Sequence, residues 1–81
     1  MSKEKTEECK AKILKHLFDS AKPESAETLG KLCNSATSET QYYLDELRKE
    51  TYIDSVTRRE GNVTVTRWRI SAPGRKKIME G

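Results

Sequence analysis

Residues 37–50 read Thr37-Ser-Glu-Thr-Gln-Tyr-Tyr-Leu-Asp-Glu-Leu-Arg-Lys-Glu50, and residues 63–74 read Val63-Thr-Val-Thr-Arg-Trp-Arg-Ile-Ser-Ala-Pro-Gly74. The first stretch sets Thr40, Tyr43, Leu44 and Leu47 at i, i+3, i+4 and i+7, one stripe of a helix. Thr37, Ser38, Gln41, Tyr42, Asp45 and Arg48 then fall outside it. The helix is predicted to begin near Ala36–Ser38, where Ser38-x-x-Gln41 resembles a capping box. After Glu50 the period drops to two, and residues 52–58 and 63–70 read as strands. Between them, Arg59-Glu-Gly-Asn62 supplies Gly and Asn where a tight hairpin wants positive φ. Trp68 and Ile70 share one face and are expected inward, Trp68 more as a core plug than as a stacking platform. Arg67 and Arg69 share the other face with Val63 and Val65 and are expected outward. Pro73-Gly74 breaks the strand, and residues 75–80 are expected to add one or two helical turns.

Two helices are predicted upstream. Thr6, Glu7 and Glu8 make a helix start, a capping hydroxyl followed by acids at the positive end of the dipole. Cys9, Ile13, Leu14, Leu17 and Phe18 recur at three- and four-residue spacing to about Asp19, and Pro23 ends any continuation. Ser25 can cap a short second helix with Ala26, Leu29, Leu32 and Cys33 as its buried face. Gly30 within it costs about 1 kcal/mol relative to Ala, so a packing reason is expected, namely close passage of the next helix. Asn34 and Ser35 make the turn.

The 81 residues allow one domain, 1–81, with an ordered core at about 6–71 and a short helical tail at 72–80. Only 33% are hydrophobic and 36% are charged, yet the apolar positions are periodic, which argues against disorder. Cys9, Cys33 and the single histidine, His16, make no metal-ligand spacing, and neither a metal nor a cofactor is expected. There is no Gly-rich phosphate loop and no nucleophile beside His16, so an enzymatic reading lacks residues. The charged N-terminal stretch has no apolar core of a signal segment, and a cytoplasmic location is expected.

Charge is distributed unevenly. Residues 1–57 balance at −2, whereas residues 58–77 balance at +6, with Arg58, Arg59, Arg67, Arg69, Arg75, Lys76 and Lys77 against Glu60 alone. A helix followed by a basic hairpin and a closing segment is the order of a winged helix-turn-helix. That is an α+β fold with a three-helix core, a two-stranded wing and a short C-terminal helix. Such an order offers double-stranded DNA one helix for the major groove and a charged ribbon for the backbone. Thr37, Ser38 and Gln41 carry donors and acceptors suited to base edges or phosphates, and Arg48 lies on the same outer side. Tyr43 belongs to the core, whereas Tyr42 is open between solvent-side packing and a phosphate contact. Arg58, Arg59, Arg67 and Arg69 are the wing's candidates for phosphates or a narrow minor groove. Against this stand Glu39, Asp45, Glu46 and Glu50 on or beside the third helix, acids that a phosphate groove repels. The alternative is a winged helix used to dock a basic protein partner, without direct DNA contact.

Tyr42-Tyr-Leu-x-x-Leu-x-Lys-Glu50 and the hairpin ending in Thr66-x-Trp68 resemble the FaeA-like regulators of pilus operons over about residues 10–70. The family pattern Ala-Arg-Tyr-Tyr-Leu-Leu-Leu-Leu-Glu-Lys-Glu-Gly places its Arg on Gln41 and its final Gly on Thr51. Here Gln41 replaces that arginine, Asp45-Glu46 replaces two leucines, and Thr51 replaces the glycine. The resemblance implies a small bacterial transcriptional regulator that binds DNA alongside a larger regulator. More loosely, Trp68-Arg-Ile-Ser-Ala-Pro-Gly-Arg75 is similar to the strand-to-helix exit of other bacterial winged-helix repressors.

Overall fold

The computed structural model describes residues 3–81; Met1 and Ser2, the start of the charged N-terminal stretch, lie outside the described residues. The order is α1 (Lys3–Ser20), β1 (Glu24–Ser25), α2 (Ala26–Cys33), α3 (Thr37–Lys49), β2 (Ile53–Glu60), β3 (Val63–Ile70) and α4 (Ala72–Glu80). The strands form one antiparallel sheet in the order β1-β3-β2. The chain is thus a small α+β protein, and no described helix is long and apolar enough to cross a membrane.

One core joins these elements. Cys9, Ile13, Leu14 and Leu17 of α1 and Leu29 of α2 meet Tyr43, Leu44 and Leu47 of α3. Ile53 of β2 and Trp68 and Ile70 of β3 close it from the sheet side. The expected buried stripe of α3 is found whole, with Thr40, Tyr43, Leu44 and Leu47 each at most 2% exposed. Trp68 and Ile70 point inward as their alternation implies. The reason for Gly30 is direct: a Cβ there would lie 2.8 Å from Oγ1 of Thr40, so α2 and α3 cross where only a hydrogen fits.

Several boundaries differ from the sequence reading. α1 begins at Lys3, so Thr6 is a helix residue and not its cap; Lys3, Glu4 and Lys5 are adequate helix formers, with Glu4 in the first turn. Ser25 does cap α2, its Oγ accepting from the Thr28 N–H at 3.3 Å. The same residue pairs with Arg67 in β1, a strand of two residues that gave no periodic signal. Leu32, expected inside, is 39% exposed, because the narrow buried face of the eight-residue α2 is taken by Leu29 and Gly30. The cap of α3 is Ala36, and Ser38 sits within the first turn. Its reciprocal contact comes from Glu39, whose carboxylate accepts from the Ala36 N–H at 3.4 Å.

The hairpin turn is Gly61-Asn62 alone, since Arg59 and Glu60 are paired with Thr64 and Val63. Only Gly61 of the two has positive φ, at 62°. α4 starts directly after Ser71, whose Oγ caps it by accepting from Gly74 N–H at 3.2 Å. Pro73 therefore opens this helix, where its missing N–H leaves no bond unmade. α4 packs back on α1, with Ile78 against the core, and is more than a loose tail. His16 is half-buried, its Nε2 3.8 Å from the Glu24 carboxylate that links α1 to β1.

Candidate nucleic-acid interface

The residues between α2 and α3 fix the turn that presents α3. Asn34 takes a left-handed φ of 51° and its N–H reaches Lys31 O, while Ser35 N–H reaches Gly30 O at 3.1 Å. Thr40 ties the first turn of α3 down a second time, its Oγ1 donating to Ala36 O at 3.0 Å. With the apolar stripe of α3 sealed, Thr37, Ser38, Gln41, Tyr42, Asp45 and Arg48 all lie exposed on its outer side. Tyr42 is 44% exposed and meets the Tyr43 ring edge-on, with centroids 6.0 Å apart, so the buried ring supports the exposed one.

The acids of this segment are individually engaged. Glu39 is spent on the helix's own first N–H. Asp45 accepts from Nε2 of Gln41 at 3.1 Å, one turn back. Glu46 faces Lys49 at 4.0 Å, and Glu50 is hydrogen-bonded to the buried ammonium of Lys10 on α1. Burial works to lower the Lys10 pKa, but the hydrogen bond and charge of Glu50, helped by Glu7 and Glu46, hold it above its usual value. Lys10 therefore stays charged at neutral pH.

The arginines divide by strand alternation. Cross-strand partners share a face, and the register pairs Asp54 with Arg69, Val56 with Arg67, Arg58 with Val65 and Glu60 with Val63. Arg58, Arg67 and Arg69 thus share one face with Asp54 and Glu60, whereas Arg59 lies on the opposite face with Thr57, Thr64 and Thr66. On that second face the Thr57 and Thr66 hydroxyls meet at 3.5 Å. Arg67 is half-buried and its Nη1 donates to Glu60 at 2.9 Å, so it braces the ribbon. Arg48, Arg58, Arg59 and Arg69 are exposed and have no carboxylate within 4.0 Å among the described residues.

Glu60 was counted from sequence as the one acid of the basic segment, but its bond to Arg67, the counter-charge Asp54 and the threonine face were not singled out. Strand alternation carried the signal, because residues 58 and 59 must point to opposite faces and even-numbered acids of β2 join Arg58. Compared with protein-family models, curated proteins and solved structures, the chain matches none.

Proposed function

We propose that the chain is a winged helix-turn-helix that binds double-stranded DNA as a small bacterial, cytoplasmic regulator of transcription. α2 and α3 form the helix-turn-helix, α3 enters the major groove, and β2–β3 is the wing. The observation that carries this reading is the state of the acids on α3. Glu39, Asp45, Glu46 and Glu50 each have a partner inside the chain, while Arg48, Arg58, Arg59 and Arg69 have no acidic one among the described residues. Glu46 and Glu50 are matched by Lys49 and Lys10, whereas Glu39 and Asp45, bonded to neutral amides, keep their charge. The four arginines without an acidic partner outnumber these two, so the outward balance is positive although the composition of α3 is acidic. Gln41 supplies the base-reading amide: Asp45 takes one N–H and fixes its rotamer, leaving its carbonyl and second N–H outward. Thr37, Ser38 and Tyr42 add hydroxyls at the helix start. A larger regulator is the partner that would supplement so small a contact surface.

Titration of random duplex DNA at two salt concentrations tests this. With four phosphate-facing arginines, log K against log salt should slope by roughly −3.6. Arg58→Ala with Arg69→Ala should weaken binding to all sequences alike and reduce the slope by roughly 1.8. Gln41→Ala should change sequence preference more than affinity. Absence of binding at low salt would refute the reading and favour a protein-docking module.

A further inference from the structure

The antiparallel sheet leaves one long edge open. In the order β1-β3-β2, β1 covers part of the β3 edge, whereas β2 has no strand beyond it among the described residues. β2 is eight residues long; Asp54, Ser55 and residues 57–60 are exposed and Val56 is half-buried. The open part of the other edge, residues 63–66, is shorter and uncharged. An exposed edge presents unpaired N–H and C=O groups, a template for another strand. Which groups point outward follows from the register. Ser71 N–H donates to Tyr52 O at 3.0 Å, one step beyond the pair Ile53–Ile70. Bonded pairs recur every second residue, so Asp54, Val56, Arg58 and Glu60 bond to β3. Ser55, Thr57 and Arg59 therefore turn their N–H and C=O away from it.

Edges are ordinarily guarded by charges that turn another strand away. The charges of β2 do the reverse, because they complement themselves. Two copies related by a two-fold axis would pair their β2 strands antiparallel, with the outward-facing Ser55 and Thr57 as bonded positions. Centred on Thr57, the pairing sets Asp54 against Glu60 of the second copy, two like charges. Centred on Ser55, it sets Asp54 against Val56 and Arg58 against Tyr52. Centred on Val56, it sets Asp54 against Arg58 twice, at non-bonded positions, where side chains come closest. Val56 then meets Val56 on the axis, and Ser55 meets Thr57 on the other face. Neither Asp54 nor Arg58 has an ion-pair partner within the chain among the described residues.

We propose that the β2 edge is a self-association surface whose occupant is a second copy of this chain, paired antiparallel about Val56 and held by two Asp54–Arg58 ion pairs. The two sheets then run on as one. The two Ser55–Thr57 pairs supply about four backbone hydrogen bonds. So small a contact is weak, with a dissociation constant of about 0.1 mM. The pairing does not depend on the nucleic-acid reading, and its test involves no DNA. Where the wing also meets phosphate, Arg58 serves one or the other, so a second copy and DNA compete for it.

Sedimentation equilibrium of the full chain from about 10 µM to about 1 mM should show a reversible monomer–dimer equilibrium. Amide shifts that move with concentration should gather on residues 54–59. Asp54→Arg sets arginine against arginine across the axis and Arg58→Asp sets aspartate against aspartate. Each variant alone should therefore dimerise about tenfold or more weakly than the parent. An equimolar mixture of the two restores both attractions and should dimerise like the parent, which also requires both variants to be folded. Arg58→Gln, which repels nothing, should weaken the dimer several-fold. A parent that stays monomeric at about 1 mM overturns the proposal. So do concentration-dependent shifts on α1 or α4 in place of β2, variants that dimerise as well as the parent, or a mixture of folded variants no stronger than either alone.

Discussion

α1, α2 and α3 each give way to a residue in the left-handed region, and none of the three is glycine: Ala21 at φ 55°, Asn34 at 51° and Thr51 at 68°. Replacing each with glycine should give a graded series in stability. For a residue with a Cβ the left-handed conformation costs roughly 1–2 kcal/mol, because Cβ crowds the following carbonyl oxygen. A β-branched threonine stands at the upper end of that range, and asparagine escapes most of it. Glycine returns roughly 0.4–1 kcal/mol through the larger entropy of the unfolded chain. The differences predict a gain of about 1 kcal/mol for Thr51→Gly, about 0.5 for Ala21→Gly, and none or a slight loss for Asn34→Gly.

The three side chains are exposed, so packing does not confound the comparison. At Thr51 the backbone contacts survive the change. Its N–H donates to Arg48 O at 2.9 Å and the Tyr52 N–H to Leu47 O at 3.0 Å, the paired bonds of a Schellman ending. Its carbonyl also accepts from the Ser71 hydroxyl at the start of α4. Urea unfolding followed by the fluorescence of buried Trp68 gives the free energies. For a domain of this size each kcal/mol should appear as a melting shift of roughly 4–8 °C. Destabilisation by Thr51→Gly, or a series in which Asn34→Gly gains most, would refute the reasoning.

Three further outcomes are expected. Gly74→Ala should cost on the order of 3 kcal/mol or more, since its Cβ would lie 2.1 Å from Tyr52 O, which is already held by the Ser71 N–H; a urea midpoint near that of the parent would contradict the packing of α4. Gly30→Ala should lose about 1–2 kcal/mol despite better helix propensity, and Thr40→Ala should relieve that loss, so additive costs in the double variant would sink the idea. Burial, and then the neighbouring Cys9 thiol, pushes the Cys33 thiol up to about 12 from 9.0, and burial also raises the Tyr43 phenol. Both groups are therefore kept neutral by folding and the unfolded chain releases its protons first. Stability should hold up to about pH 9 and fall as pH climbs towards 12, with the onset delayed in Cys33→Ala; thermal melts that rise above pH 9 would reverse the sign.

The helices and the hairpin were legible because their signals are local. Thr40, Tyr43, Leu44 and Leu47 announce one buried stripe, and the alternation from Val63 to Ile70 announces which side of β3 faces inward. Features made by contact between distant segments were not legible. β1 exists only because Glu24 and Ser25 find the edge of β3, and two residues have no period of their own. Leu32 fits the apolar spacing of α2, but its fate depends on how closely α2 and α3 approach at Gly30. The burial of Lys10 was hidden for the same reason, since its partner Glu50 lies forty residues away.

The charge of the candidate interface shows why counting residues misleads. Residues 58–77 hold seven cations, and if each neutralised a phosphate the salt slope would be roughly −6.3. Arg67 is already bonded to Glu60 and Lys76 faces Glu80 at 4.0 Å, whereas Arg69, opposite Asp54 in the register, makes no ion pair among the described residues. Arg75 and Lys77 belong to α4 and not to the hairpin, while Arg48 joins from α3. What remains for phosphate is Arg48, Arg58, Arg59 and Arg69, hence the smaller slope of roughly −3.6. Glu60→Gln separates the two views, because it frees Arg67 without adding a cation. If Arg67 then turns to the backbone, the slope should steepen by roughly 0.9 and affinity at low salt should rise. An unchanged slope would mean that Arg67 never reaches a phosphate, and that its place is to brace the outer face of the ribbon beside position 60.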